Sequence, residues 1–121
     1  MIISTFKIIK FKSDSCGLCH RMSHYDAKTA DIMGFQFEVV DVDNPGEQGH
    51  LIKYLIQLTP RKKDVAFPAY VLLKDDKFTD GWQGAVPKHI FKTRLENYYA
   101  KHGQQGSVVP SPFTEDGASL I

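Results

Sequence analysis

The sequence predicts an α/β domain: a four-stranded mixed sheet in the order β-α-β-α-β-β-α, with helices on both faces. Three observations carry this. Two β-rich runs flank a segment with helical spacing, and a crossover of that kind is right-handed and makes its strands parallel. Two later β-rich runs are separated only by Asp75-Asp76, which reads as an antiparallel hairpin. A last amphipathic segment opens at Pro87, a residue suited to the first turn of a helix.

Phe6, Ile8 and Phe11, with Ile9 between them, form the first strand, which ends at Ser13-Asp14-Ser15. From Cys16 to Met33 there is no Pro, and no Gly after Gly17. Met22, Ala27, Ala30 and Met33 recur at helical spacing and predict one helix, stopped by Gly34. Phe35 to Val42 is apolar and β-branched, as a buried strand would be. Asn44-Pro45-Gly46 is a turn or helix start, and Leu51, Ile52, Leu55, Ile56 and Leu58 make a second amphipathic helix. Thr59 to Asp64, with Arg61-Lys62-Lys63, reads as a charged exposed loop. Ala69 to Leu73 is the third strand and Lys77 to Gln83 the fourth. Ile90, Phe91, Leu95, Tyr98 and Tyr99 give the last helix an apolar face, and Trp82 is expected to pack on the sheet or at the rim of a groove.

Composition narrows the function. The chain has 121 residues, enough for one domain with a real core, and a formal charge of +1, which gives no basic excess for nucleic acid. Its apolar runs fall far short of the roughly 20 residues that span a bilayer. The lysine-interrupted amino end reads as a strand and not as a signal peptide, so a cytoplasmic location is expected. Residues 1–102 form the predicted domain. Residues 103–121, rich in Gly, Pro, Ser and Gln, read as a flexible tail.

The only two cysteines, Cys16 and Cys19, form one C-x-x-C at the join of the first strand and helix. A pair three residues apart closes too small a loop to staple a fold, and such a pair usually carries redox chemistry or holds a metal. A helix amino end offers free N–H groups that stabilise a thiolate. Cys16, at the tip, is then the more acidic thiol and Cys19 the more shielded one. Other readings remain at this point: two buried structural cysteines, a zinc half-site completed by His20, His24 or His50, or covalent haem attachment through Cys16-Gly17-Leu18-Cys19-His20.

Further segments sharpen the choice. Val40-Asp41-Val42-Asp43-Asn44-Pro45, Phe67-Pro68-Ala69-Tyr70, Lys74-Asp75-Asp76-Lys77-Phe78 and Gln83-Gly84-Ala85-Val86-Pro87-Lys88 occur in the order and spacing of the thioredoxin family. With Cys16-Gly17-Leu18-Cys19 they make residues 5 to 100 resemble that family. The resemblance implies a thioredoxin-like fold, without the family's first strand and helix. It implies a protein disulfide oxidoreductase in which Cys16 attacks a disulfide and Cys19 resolves the mixed disulfide. Pro68 matches the family's cis-proline, which exposes the backbone of Phe67 to bind substrate by β-type hydrogen bonds. Gly84 matches a glycine that keeps the docking groove shallow. No bound cofactor is implied. The partners implied are disulfide-containing protein substrates and a thioredoxin reductase-type electron donor, with the protein itself a monomer. A glutathione-dependent, glutaredoxin-like reductase and a non-catalytic binding subunit are the alternatives.

The departures from the family lie close to the cysteines. Ser15 stands where the family has Trp, Leu18 where it has Pro before the second cysteine, and His24 where it has a helix proline. Lys10 replaces a buried carboxylate that the family is proposed to use in deprotonating the second cysteine. A desolvated Lys10 would act as a base or stabilise a thiolate directly, with Glu38 on the neighbouring strand as its expected partner. The ordinary alternative has Lys10 extend its ammonium to solvent. His20, next to Cys19, is a candidate for tuning thiol acidity, against a plain solvated position.

Overall fold

The computed structural model describes residues 5–59 and 66–102. The elements are β1 (Phe6–Lys12), α1 (Gly17–Met22), α2 (Asp26–Ile32), β2 (Gln36–Asp41), a 3₁₀ helix (Gly46–Leu51), α3 (Ile52–Leu58), β3 (Ala69–Lys74), β4 (Lys77–Gln83) and α4 (Lys88–His102). The strands form one open sheet in the order β2-β1-β3-β4. β1 runs parallel to β2 and antiparallel to β3, and β3 is antiparallel to β4. The expected four-stranded mixed sheet is therefore present. The Arg61-Lys62-Lys63 loop and the 103–121 tail lie outside the described residues.

Side chains on a strand alternate between faces, and both faces of this sheet are covered. Phe6, Ile8, Tyr70 and Leu72 pack on one face with Met22, Ala30, Phe91, Leu95 and Tyr98. Ile9, Phe11, Val71 and Leu73 pack on the other with Val40, Leu51 and Leu55. Lys10 belongs by alternation to the first face. β2 is not the buried strand expected from its composition. It is an edge strand, and Val39 on it is 39% exposed.

The single helix expected from Cys16 to Met33 is two helices. The chain tightens at Ser23–Tyr25, where Ser23, His24 and Tyr25 donate backbone N–H groups three residues back, at 3.1, 3.3 and 3.0 Å. The Ser23 hydroxyl also donates to the His20 carbonyl at 2.5 Å, a local bond that competes with helix continuation. Buried positions then run Cys19, Met22, Asp26, Thr29 and Ala30, whereas Ala27, expected on the core face, is exposed. α2 closes where expected, with Phe35 N–H donating to the Ala30 carbonyl and Gly34 N–H to that of Asp31.

The hairpin turns on Asp75 and Asp76, both at positive φ (52° and 67°), the backbone pattern that suits two-residue hairpin loops. Asp75 also exchanges two hydrogen bonds with the Thr5 backbone, at 2.8 and 2.9 Å, tying the hairpin tip to the start of β1. In β4, Gly81 lets the strand pass close to its neighbours. A Cβ there would lie 2.6 Å from the Tyr70 carbonyl oxygen and 3.0 Å from Leu58 Cδ1. Since the first clash is with backbone, Gly81→Ala is expected to lower stability by roughly 1–3 kcal/mol, read as a lower urea midpoint.

α4 begins as Pro87 implies, its carbonyl accepting the N–H groups of Ile90 and Phe91 at 3.0 Å each. Lys74 Nζ donates to the His102 carbonyl at 2.6 Å and so satisfies one carbonyl at the other end of the helix. Among the described residues, no helix is long and apolar enough to cross a membrane.

Candidate redox-active site

The β1–β3 register pairs Phe11 with Ala69, and the β3–β4 register pairs Ala69 with Gln83. The end of β1, the start of β3 and the end of β4 therefore share one edge of the sheet. Cys16 follows the first, Phe67-Pro68 precedes the second and Gly84 follows the third. Cys16 and Cys19 are joined in a disulfide, with a Cα–Cα distance of 5.2 Å. Cys16 is the N-cap of α1, and its Sγ accepts the Cys19 N–H at 2.9 Å. Cys16 is partly exposed, whereas Cys19 is 3% exposed. The expected asymmetry between the two sulfurs follows from their places: one at the cap, the other one turn into a helix packed on the sheet.

Lys10 does not reach solvent, and Glu38 is not its partner. Lys10 Nζ is enclosed and forms an ion pair with Asp26 Oδ2 at 2.6 Å, the two side chains being 3% and 2% exposed. It also donates to the Cys19 carbonyl at 2.8 Å. Glu38 lies on the partly open side of edge strand β2, where it pairs with Lys7 at 2.5 Å and accepts from Gln48 at 2.6 Å. Those two hydrogen bonds hold the Glu38 carboxyl below its ordinary value. The alternation that places Lys10 beneath α1 places Lys7 on the opposite face.

Asp26 and Tyr70 complete this buried network. Tyr70 is the register partner of Lys10 on β3, and its hydroxyl donates to Asp26 Oδ2 at 2.8 Å. Asp26 Oδ1 accepts the Ala27 N–H at 2.6 Å. Met22 Sδ lies 3.3 Å from the same tyrosine hydroxyl. Neither Asp26 nor Tyr70 stood out as a site residue in the sequence. The available signal was an acid in the apolar stripe of a helix, four residues after Met22, matched by a lysine in the apolar alternation of a strand.

Burial, and then the adjacent Asp26 charge, push the Tyr70 phenol well above its ordinary value of 10.0. Burial also raises Tyr98. A raised folded-state value means stability that is full below the ordinary phenol range and is lost as pH climbs through the folded one. In a spectrophotometric titration, two of the five tyrosines are therefore expected to ionise late, with alkaline unfolding. Tyr70→Phe removes one of them.

The Phe67–Pro68 bond is cis. Pro68 is fully buried, and its carbonyl accepts the Gly84 N–H at 2.8 Å. Gly84 has φ +98°, a conformation that strains other residues, with open space where a Cβ would stand. Phe67 is half-buried against the α3-side core. Tyr25 OH, from the turn between α1 and α2, donates to the Val86 carbonyl at 2.5 Å and ties that turn to the segment after Gly84. His20 is exposed and meets His24 edge-to-face, ring centroids 5.4 Å apart. Trp82 packs against Tyr70 in a tilted arrangement and meets Phe91 edge-to-face, beneath the Arg94 guanidinium at 5.2 Å.

Asp14, Asp41 and Asp43 gather at the same sheet edge, with side-chain oxygens within 4.8 Å of one another. Among the described residues, this is the group of three or more metal-capable side chains that converge, and no cysteine or histidine belongs to it. A hydrogen bond to Asp41 and then that residue's charge raise the Asp14 carboxyl, while the Asp43 backbone N–H lowers Asp41.

The sequence matches no family model and no curated protein. Solved thioredoxins do match the fold. A thioredoxin from Fasciola hepatica is 26% identical, covering 81% of this chain and 81% of its own, with a TM-score of 0.55. A mutant thioredoxin from Halobacterium salinarum NRC-1 is 20% identical, covering 87% and 78%, with a TM-score of 0.59. The oxidised thioredoxin of Plasmodium falciparum in solution is 22% identical, covering 77% and 80%, with a TM-score of 0.55. This chain has the thioredoxin fold, and it carries a redox-capable cysteine pair where its first strand meets its first helix.

Proposed function

We propose that this protein is a thiol-disulfide oxidoreductase that reduces disulfides of other proteins. The supporting observation is the unequal pair: a capped, partly exposed Cys16 within disulfide reach of an enclosed Cys19. In the reduced state, the Cys16 thiolate attacks one sulfur of a substrate disulfide. A Cys16–substrate disulfide forms and the first substrate sulfur leaves as a thiolate, which takes up a proton. Cys19 then loses its proton and attacks Cys16 Sγ. The mixed disulfide breaks, the second substrate sulfur leaves, and the Cys16–Cys19 disulfide remains. Two electrons have passed from the protein to the substrate.

The Cys19 N–H aimed at Cys16 Sγ favours negative charge on that sulfur, which makes Cys16 the attacking group. Phe67, Pro68 and Gly84 share the sheet edge with it and form the substrate-binding strip, the Phe67 backbone pairing with an extended substrate segment. Leu18, 45% exposed between the two cysteines, adds an apolar contact. His20 lies one residue beyond Cys19 and tunes the charge around the pair. In this reading the protein works as a monomer in a reducing cytoplasm and needs no bound cofactor. It is re-reduced by a thioredoxin reductase-type donor.

The test is reduction of insulin by dithiothreitol, followed by turbidity. The protein is expected to accelerate it catalytically, and Cys16→Ser to abolish the acceleration. No acceleration with both cysteines free would replace this reading with a non-catalytic binding role.

A further inference from the structure

Resting on the reading of Cys19 as the resolving thiol, we infer that Lys10 is the positioning residue for the resolving half-reaction and has little part in the first attack. Its ammonium is the one buried cation seen to touch the backbone of either cysteine among the described residues, at 2.8 Å from the Cys19 carbonyl. It is anchored from behind by Asp26 at 2.6 Å, and Asp26 is in turn fixed by Tyr70 and by the Ala27 N–H. The pair is a short dipole whose positive end faces the α1 turn carrying Cys19.

Two consequences follow from charge and geometry. First, both oxygens of the carboxylate are engaged, by Lys10, Tyr70 and the Ala27 N–H, and neither is seen to contact Cys19. The group that bears on Cys19 is the cation. A positive charge enclosed next to this turn lowers the cost of forming a thiolate on a sulfur with little access to water. Second, the Cys19 carbonyl is held both by Lys10 and by the Ser23 N–H, at 3.1 Å, so the backbone of the resolving cysteine cannot swing away from Cys16. Cys16 sits at the cap of α1 and owes its own stabilisation to the Cys19 N–H. The two half-reactions are therefore supported by different groups.

The step assisted is Cys19 S–H giving up its proton to water, followed by attack of the thiolate on Cys16 Sγ and departure of the substrate thiolate. The substrate disulfide is the oxidant.

A chromogenic aromatic disulfide, given in excess to the reduced protein, separates the two steps. Attack by Cys16 releases one equivalent of aryl thiolate, and displacement by Cys19 releases a second. Lys10→Met alone strands the Asp26 charge, so the variants read are K10M/D26N and K10M/D26L, which remove both charges. In each, checked as folded by circular dichroism, the first phase is expected within about twofold of wild type. The second is expected to slow about tenfold or more, as loss of a hydrogen bond from a charged donor implies. Equal slowing of both phases, or an unchanged second phase in both double variants, would overturn the assignment. Failure of the underlying reading shows differently: the wild type itself would then release a single equivalent, or release aryl thiolate without a fast first phase.

Discussion

Cys19→Ser is expected to turn the protein from a catalyst into a trap. The variant keeps the Cys16 thiol at the cap of α1, where the backbone N–H of residue 19 still reaches it. The first attack on a substrate disulfide therefore proceeds. The hydroxyl that replaces the second thiol cannot displace the substrate, so the mixed disulfide persists and turnover falls by roughly three orders of magnitude or more. Cys16→Ser gives the opposite pattern, with no adduct and no turnover, because the enclosed Cys19 is poorly placed to meet a protein disulfide. Mass spectrometry of the reaction with an excess of a disulfide-bonded peptide reads both results. The first variant should gain the mass of one peptide strand and the second none.

Removing one partner of the buried ion pair is expected to have the largest effect on stability. Lys10 and Asp26 lie almost completely out of water. An enclosed pair adds little over an apolar replacement, but an enclosed charge without its partner costs about 3–5 kcal/mol. Lys10→Met leaves the Asp26 carboxylate with Tyr70 and a backbone N–H but no cation. Asp26→Leu leaves the ammonium with a carbonyl and no anion. Since a domain of this size has a total stability of about 5–15 kcal/mol, either change should remove a large share of it. The paired replacement K10M/D26L should regain most of the loss. Urea denaturation of the four proteins, treated as a double-mutant cycle, gives the coupling directly. Strong coupling is expected, because both groups share one hydrogen-bonded network.

The sequence made the sheet legible because each strand obeys a local rule. β1 and β3 are apolar on both faces, as central strands are, and the acidic pair Asp75-Asp76 could be read as a turn from its place between two strand-like runs. The cysteine pair was legible for a similar reason, since its chemistry needs only two residues at fixed spacing. Features that depend on tertiary neighbours were harder to read. Whether β2 is central or at an edge is decided by strand order, which composition does not carry, and Val39 on this edge strand is exposed. The break at Ser23–Tyr25 rests on i to i−3 bonds and a serine hydroxyl, with no Gly or Pro to announce it. The partner of Lys10 was misplaced because Glu38 is nearer in the β1–β2 ladder, in direct register with Ile9. That ladder set strand neighbours side by side but left out which face each side chain takes. Lys10 faces the α1 and α2 side, where Asp26 stands in a stripe otherwise made of Cys19, Met22, Thr29 and Ala30. Opposite charges at two apolar-face positions are the pattern that sequence reading could have joined.

The central claim is that Cys16 is the attacking thiolate and Cys19 its sheltered partner. It is tested most directly by alkylating the fully reduced protein with iodoacetamide across a pH series, with the modified residue located by peptide mass spectrometry. The account predicts that Cys16 reacts first at every pH, with a midpoint below the value of about 8.5 typical of a free thiol, while Cys19 stays protected until the protein unfolds. Alkylation of Cys19 ahead of Cys16, or a Cys16 that titrates like any solvent-exposed thiol, would contradict it.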